Sequence, residues 1–433
     1  MKHKSPLTAP LALLCALLLC ANAAAQTRPF GSSLKRPKAG TADKASKDAG
    51  PQDSADDSGA EVVRVDTSLV LLDVLVTDRA GTKAVAGLKA EDFVVHEDGE
   101  AQEVSFFALG DDAQKLPRSI VLVFDRSRSQ LAYLEASVEA AKRLVNQLAP
   151  SDEMAIVTDD VQLALGFTRD KKRLKSTLDA LKKFTYQGYH TRSMQFSALL
   201  ATLRELIDVS KRRAVIILQT DGDEVGRLSG WPPVMRGGQE AAPLGYDMND
   251  VYAEAEKSRA KIYAVVPNER LLGLPAEEAE RRALLTMERR EADRRSRPEM
   301  WYGMKRLPPE KPAKSAAPAG SVSLPFDDPA FAATLRELRE KNLKRGVETL
   351  VQGQVAAARV AELTGGWASF LERPEDADAV YRRILADINQ SYVIGYYPSN
   401  KSLDGKLRQV RVEVRGHPEY VVQGRRSYFT RPR

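Results

Sequence analysis

Residues 119–130 read "SIVLVFDRSRSQ", and the reading of the fold turns on them. An apolar run from Ile120 to Phe124 stops at Asp125, and hydroxyls then recur at alternate positions, Ser127 and Ser129, set between Arg126 and Arg128. A strand with no polar alternation belongs in a parallel sheet covered on both faces. Ligands on such sheets bind beyond the carboxyl ends of the strands, where strand order reverses. Alternate residues of a non-helical loop aim their oxygens into one small volume, so Asp125, Ser127 and Ser129 are candidates for a site.

The rhythm continues downstream. "LAYLEASVEAAKRLVNQLA" predicts an amphipathic helix, "EMAIVT" and "VQLALGF" strands, and "KKRLKSTLDALKKF" and "MQFSALLATLRELIDVS" helices. The strand "RAVIILQT", a short helix around Val251 to Arg259 and the strand "KIYAVVP" follow. Continuous strands alternating with helices predict a doubly wound, mostly parallel α/β sheet, assigned to residues 115–390. A second acid leaves a strand in "VIILQTDGDE", where Asp221 is followed by Gly222, which permits a tight turn. In "GYHTRS", Thr191 stands in a loop just before a helix.

Two acids and three hydroxyls, with no sulfur, suit a hard divalent cation: Mg²⁺ or Mn²⁺, with Ca²⁺ a further candidate. A blander reading makes Asp125 and Ser127 caps for the helix that begins near Leu131. His190 is a loop residue or a ligand. Asp223 and Glu224 read first as a solvated turn beside the second acid, and otherwise as groups that tune the site.

Outside the sheet the period changes to two. "VVRVDTSLVLLDVLVTDRAG" and "DFVVHEDGEAQEVSFFAL" alternate around turn signals at Ala80-Gly81 and Asp98-Gly99, giving a β segment over 61–110. Three or four strands leave one sheet face uncovered. The last segment, 391–433, with "SYVIGYYP", "KLRQVRVEVRG" and "YVVQGRRSYF", offers the strands to cover it. Both chain ends are therefore expected to form one β-sandwich with the α/β domain between them.

Residues 1–25 read as a signal peptide: Lys2 and Lys4 precede a short apolar run, and Ala21, Ala23 and Ala25 offer a cleavage site. Export to the periplasm or beyond the cell is expected, with lipidation at Cys20 the weaker option beside bulky Leu19. Cys15 and Cys20 both lie in that segment, so the processed chain has no disulfide, thiolate metal site or cysteine nucleophile. Residues 26–60, rich in Gly, Ser, Pro, Ala and charge, read as a linker.

Net charge is +6, and without Lys2 and Lys4 the balance is 63 basic to 59 acidic residues. Those charges are interleaved, which argues against nucleic-acid binding. His96 and His417 have no zinc-ligand spacing, and no G-x-S-x-G, P-loop or dinucleotide fingerprint occurs. A hydrolase is not expected.

D-x-S-x-S after the first central strand, a Thr in a mid-domain loop and T-D-G after a later strand resemble the von Willebrand factor A-type domain and its metal-ion-dependent adhesion site. "VLVTDRAGTKAVAGLKAEDFVVHEDG" and "SYVIGYYPSNKSLDGKLRQVRVEV" are similar to the bacterial VWFA-related proteins. The resemblance runs from about Val62 to Phe429. It implies a cation held by the hydroxyls of Ser127, Ser129 and Thr191, with Asp125 and Asp221 partly behind water. It also implies binding to a protein or surface partner whose Asp or Glu completes the coordination. Arg126 and Arg128 flank the cation site and either repel or weaken the metal or point outward to recruit an acidic partner; His190 and Asp223 are the further residues placed to meet that partner. The sequence departs from the family at Arg128 and His190, where Gly is frequent. An alternative is a structural or assembly component of the cell envelope with a degenerate, metal-independent domain.

Residues 268–346 interrupt the family pattern. Their "PAEEAERRALLTMERREADRRSRP" predicts an exposed helix laced by Glu277/Arg281 and Glu278/Arg282, and "PPEKPAKSAAPAGS" a flexible loop. The fold resumes with the helix "VQGQVAAARVAELTGG", the strand "WASFLE" and a final helix, "EDADAVYRRILADIN". The resemblance makes that last helix the relay for site occupancy.

Overall fold

The structure, a computed structural model, describes residues 33–35, 69–81, 83–109, 117–182, 193–207, 212–224, 228, 235–236, 239–240, 245–296 and 329–430. Four strands come first: β1 (Val70–Thr77), β2 (Phe93–Glu97), β3 (Glu100–Gln102) and β4 (Val104–Leu109). The central domain opens with β5 (Arg118–Phe124), α1 (Leu131–Gln147), β6 (Glu153–Thr158) and β7 (Gln162–Thr168). It continues through α2 (Lys171–Leu181), α3 (Gln195–Glu205) and β8 (Arg213–Gln219). A short pair, β9 (Met235–Arg236) and β10 (Gln239–Glu240), precedes α4 (Met248–Lys257) and β11 (Lys261–Val266). Then come the inserted helix α5 (Ala276–Ser296), the long α6 (Pro329–Leu363), β12 (Ala368–Phe370) and α7 (Asp376–Gln390). The chain closes with β13 (Tyr392–Tyr396), β14 (Leu407–Val414), β15 (Val421–Gln423) and β16 (Ser427–Phe429).

The central sheet has the order β12-β11-β8-β5-β6-β7. Its strands are parallel except β7, which runs antiparallel to β6. From β5 the chain winds out to β7, returns to β8 on the other side and winds out again, so the order reverses at β5. The strand itself explains its central place. Val121 and Val123 pack toward α3, α4 and α6, while Ile120, Leu122 and Phe124 pack toward α1, α2 and α7. All five are fully buried, and burial of each such side chain contributes about 1.5–3 kcal/mol.

The two chain ends share one core. Sheets β15-β1-β13-β4 and β16-β14-β2-β3 enclose Val70, Leu72, Val74, Phe93, Ile394, Tyr396, Val410 and Val414. The β2–β3 hairpin turns on Asp98 (φ 50) and Gly99 (φ 90), the left-handed pair that matches strand twist in two-residue loops. Buried Glu97 accepts hydrogen bonds from Tyr396 and Tyr428, each at 2.7 Å. Arg425 ties the sandwich to the α/β domain by donating to the carbonyls of Glu256 (2.8 Å) and Ala260 (3.0 Å).

Three expectations need correction. Within the segment read as linker, residues 33–35 are ordered against the sheet: Leu34 is buried in the core, and Lys35 exchanges backbone hydrogen bonds with Val161 and Leu163, both at 2.9 Å. A strand edge leaves unpaired backbone groups, and this short segment satisfies those of β7. The helix expected from Val351 begins at Pro329. Finally, α5 is not simply solvated. Glu278 pairs with Arg281 and Arg282, but Ala283 is buried against Leu271 and Leu350, with Met287 and Val347 beside them. The "PPEKPAKSAAPAGS" stretch and residues 1–25 lie outside the described residues, and no helix among those described is long and apolar enough to cross a membrane.

Candidate metal centre

The parallel register sets the site. Phe124 lies opposite Thr158 and Gln219, so β5, β6 and β8 end together and their exit loops share one crevice. The Asp125 amide donates to the Gln219 carbonyl (3.1 Å) and the Asp159 amide to the Phe124 carbonyl (3.2 Å). Asp125 then folds its own loop, Oδ1 accepting from the Ser127 amide at 2.8 Å. The result brings the Ser127 and Ser129 hydroxyls to 3.0 Å from each other. Neither Asp125 nor Ser127 makes a side-chain cap on the turn or helix that follows, so the capping reading is set aside.

Asp125 and Asp221 are each 1% exposed. Asp125 accepts further bonds from Ser193 Oγ (3.2 Å) and Gln195 Nε2 (2.8 Å), and the same amide nitrogen reaches Asp223 Oδ1 at 2.7 Å. Burial raises the Asp125 carboxyl well above the usual carboxylate range, and repulsion from Asp159, Asp221 and Asp223 adds to it. Burial likewise pushes Asp159 to about 6. The residue surface of Asp223 is open to solvent, yet its carboxyl, packed against Gln195 and Asp221, is pushed up to about 7, by lost hydration first and Asp221 second. Repulsion among these acids is what a bound cation would relieve.

Sequence reasoning missed Asp159, Ser193 and Gln195 and read Glu224 first as solvated. Asp159 stands at the exit of β6 just as Asp125 does at β5, so the rule that found one finds the other. Glu224 is buried, not part of a solvated turn. Its carboxylate accepts from the amides of Phe196 (2.7 Å) and Ser197 (3.1 Å), capping the first turn of α3, where free amide groups favour an anion. Arg126 is engaged by Asp160 at 3.2 Å, with its amide on Asp159 at 3.2 Å. Arg128 is partly buried in the turn after Ser127. Thr191 and His190 lie outside the described residues. His417 pairs with Glu419 in the sandwich, far in sequence from the crevice.

Two elements from the far end of the chain close on the site. Gly353 of α6 packs on the Asp221–Gly222 loop so tightly that a Cβ there lies 2.7 Å from the Gly222 carbonyl oxygen and 2.8 Å from that of Asp221. Gly222 has φ +77, which excludes easy compensation by any other residue. Gly353→Ala is expected to destabilise the protein by about 1–3 kcal/mol through overpacking, seen as a lower urea midpoint at unchanged slope. An unchanged midpoint would show the loop yields freely. The second element is α5: Arg290 Nη2 is 3.0 Å from Asp221 Oδ2. On α7, the expected relay, Tyr381 donates to Gln219 Oε1 at 2.7 Å.

The donor set fits a hard cation. The Ser127 and Ser129 hydroxyls meet in the loop that buried Asp125 folds, buried Asp221 stands at the neighbouring strand exit, and the buried acceptors Gln130 Oε1 and Gln195 Oε1 have no hydrogen-bond partner. Among the described residues no three His, Cys, Asp or Glu side chains form a metal-binding group by themselves; a set built on hydroxyls does not meet that description.

No family model and no curated protein matches the chain. Among solved structures it is similar to the conserved hypothetical protein BatB from Bacteroides thetaiotaomicron, with 21% identity over 35% of this chain and 67% of that one and a TM-score of 0.25. The vWF domain of the type V pili tip protein Mfa5 from Porphyromonas gingivalis is 15% identical over 35% of this chain and 81% of its own, TM-score 0.26. Proximal thread matrix protein 1 from the mussel byssus, solved with zinc in its MIDAS motif, is 12% identical over 36% of this chain and 39% of its own, TM-score 0.24. At these values none carries a residue role to this chain. The topology does speak for itself: a mostly parallel sheet wound both ways from β5, with Asp125, Ser127, Ser129 and Asp221 beyond its carboxyl ends, is a doubly wound α/β fold, as expected from the sequence's resemblance to the von Willebrand factor A-type domain.

Proposed function

We propose that this is an exported protein whose central domain binds a protein or surface partner through a metal-ion-dependent adhesion site. The observation that carries the reading is the 3.0 Å approach of the Ser127 and Ser129 hydroxyls beside buried Asp125 and Asp221 at the point where strand order reverses. Ser127, Ser129 and, from the sequence, Thr191 would hold Mg²⁺ or Mn²⁺ directly, with Asp125 and Asp221 behind them. Such an ion supplies an electrophilic centre that an Asp or Glu of the partner completes. The protein's own part is to hold neutral hydroxyls foremost, so that little of the cation's charge is quenched. Gln195, bonded to both Asp125 and Asp223, fixes the orientation of the acids. Residues 1–25 would direct export, to the periplasm or outside the cell.

A second reading has one observation in its favour. The Arg290–Asp221 pair gives the buried acid a partner with no metal at all, as a structural envelope component would need. Calorimetry and melting of the chain from Gln26 onward, with Mg²⁺ and Mn²⁺, separate the two. The adhesion reading expects saturable heat and a gain of about 2.7 kcal/mol at a hundredfold excess over Kd. No heat and no shift at millimolar metal would give the structural reading the lead.

A further inference from the structure

The insert delivers a cation of its own. Arg290 lies near the end of α5, 69 residues from Asp221 in sequence, and its guanidinium reaches the carboxylate at 3.0 Å. The Asp221 side chain is 0% exposed, whereas that of Arg290 is 23% exposed. The acid is therefore fixed in the crevice and the arginine enters from outside. Its field also reaches Asp223, where it opposes the upward push on that carboxyl. The two serine hydroxyls bond each other.

Among the described residues the apolar attachment of α5 is small: buried Ala283 meets Leu271 and Leu350, with Ala279, Met287, Val347 and Val351 at the margin. Thr286 is also buried, and Arg289 pairs with Glu269. Elements with so small an apolar contact are the first to detach, at a cost well below global unfolding. The other side of the contact is α6, whose Gly353 lies on the Asp221–Gly222 loop. Insert and site loop are thus packed on the same helix.

We propose that Arg290 is a tethered competitor of the divalent ion: it takes the Asp221 carboxylate when α5 is docked, so the insert sets the metal affinity of the site. The inference rests on the adhesion-site reading and adds its regulation. A guanidinium and a metal that both require one Asp221 oxygen exclude each other. By linkage, whatever draws α5 away tightens metal binding, and metal binding loosens α5 by the same factor.

The test titrates Mn²⁺ into the chain from Gln26 onward and into Arg290→Gln and Arg290→Lys, and follows tryptic cleavage within α5, which is rich in arginine. The Gln variant should bind on the order of tenfold tighter, with the Lys variant between it and the wild type. In the wild type, saturating Mn²⁺ should speed cleavage of α5; in the Gln variant, cleavage should be fast without metal. Should the Gln variant fail to fold, the Lys variant alone decides, by binding more tightly than wild type or not. Equal affinities in proteins that bind metal overturn the competition and leave the adhesion reading standing. Weaker binding in the variants overturns it too, making Arg290 a residue that orients Asp221. Binding by none of them removes the adhesion reading and this inference together, and Arg290 is then a structural ion pair.

Discussion

Deletion of residues 407–433 is expected to unfold the β-sandwich. The segment holds β14, β15 and β16, and with them Val410, Val414 and Tyr428, all buried in the shared core. At about 1.5–3 kcal/mol for each buried apolar side chain, those three contribute about 5–9 kcal/mol. That is comparable to the whole stability of a typical domain. The loss also strips β2 of its β14 partner along Phe93–Glu97, leaving it paired with β3 alone, and should expose Val70, Val74 and Val95 to solvent. Arg425, which anchors the sandwich on α4, goes with it. Size-exclusion chromatography of the truncated chain should show aggregates, and protease should remove residues 69–109 early. A monodisperse truncated protein that melts like the parent would show that the N-terminal strands fold without their partners.

Asp221→Ala should abolish stabilisation by Mg²⁺ and Mn²⁺ while leaving the fold intact. Its effect without metal is decided by two opposed terms. Removing the carboxylate strands Arg290, but that side chain is partly exposed and recovers hydration. Removing it also relieves repulsion on Asp125 and Asp223. Both are modest, so the metal-free variant should melt within about 1 kcal/mol of the wild type. The contrast is Arg118 and Asp152, paired at 2.5 Å with side chains 3% and 0% exposed; losing one partner of such a pair costs about 3–5 kcal/mol. Thermal melts with and without metal decide the matter for Asp221. A variant that still gains stability from millimolar Mn²⁺ removes Asp221 from the ligand set. One that collapses without metal makes it a structural residue first.

Much of this protein was legible in one dimension. Ile120 to Phe124 are apolar without interruption, and only a strand buried on both faces accommodates that pattern. The period of two at both chain ends, with turn residues at Asp98-Gly99, fixed the hairpins and predicted that each end needed the other. Asp125, Ser127, Ser129 and Asp221 are candidates because strand exits in a doubly wound sheet are where side chains meet, and the structure places them at such exits. All of these are local signals: each depends on residues a few positions apart and on the geometry of a single element.

Other features existed only once the chain closed on itself. Leu34 reads as part of a polar linker, yet it is buried because β7 leaves an edge to cover. Glu224 looks like one more acid in a turn, and becomes a cap because the first amides of α3 arrive beside it. Gly353 is an unremarkable helix glycine until the Asp221–Gly222 loop is packed on it. Arg290 sits in a helix whose sequence shows only surface charge pairing. Its place on Asp221 follows from how α5 packs on α6, through Leu271 and Ala283 on one side and Leu350, far along the chain, on the other. The period of a sequence records which face of an element is buried, because burial repeats with the element's own geometry. It does not record which distant charge that packing brings to the site, because one ion pair leaves no period.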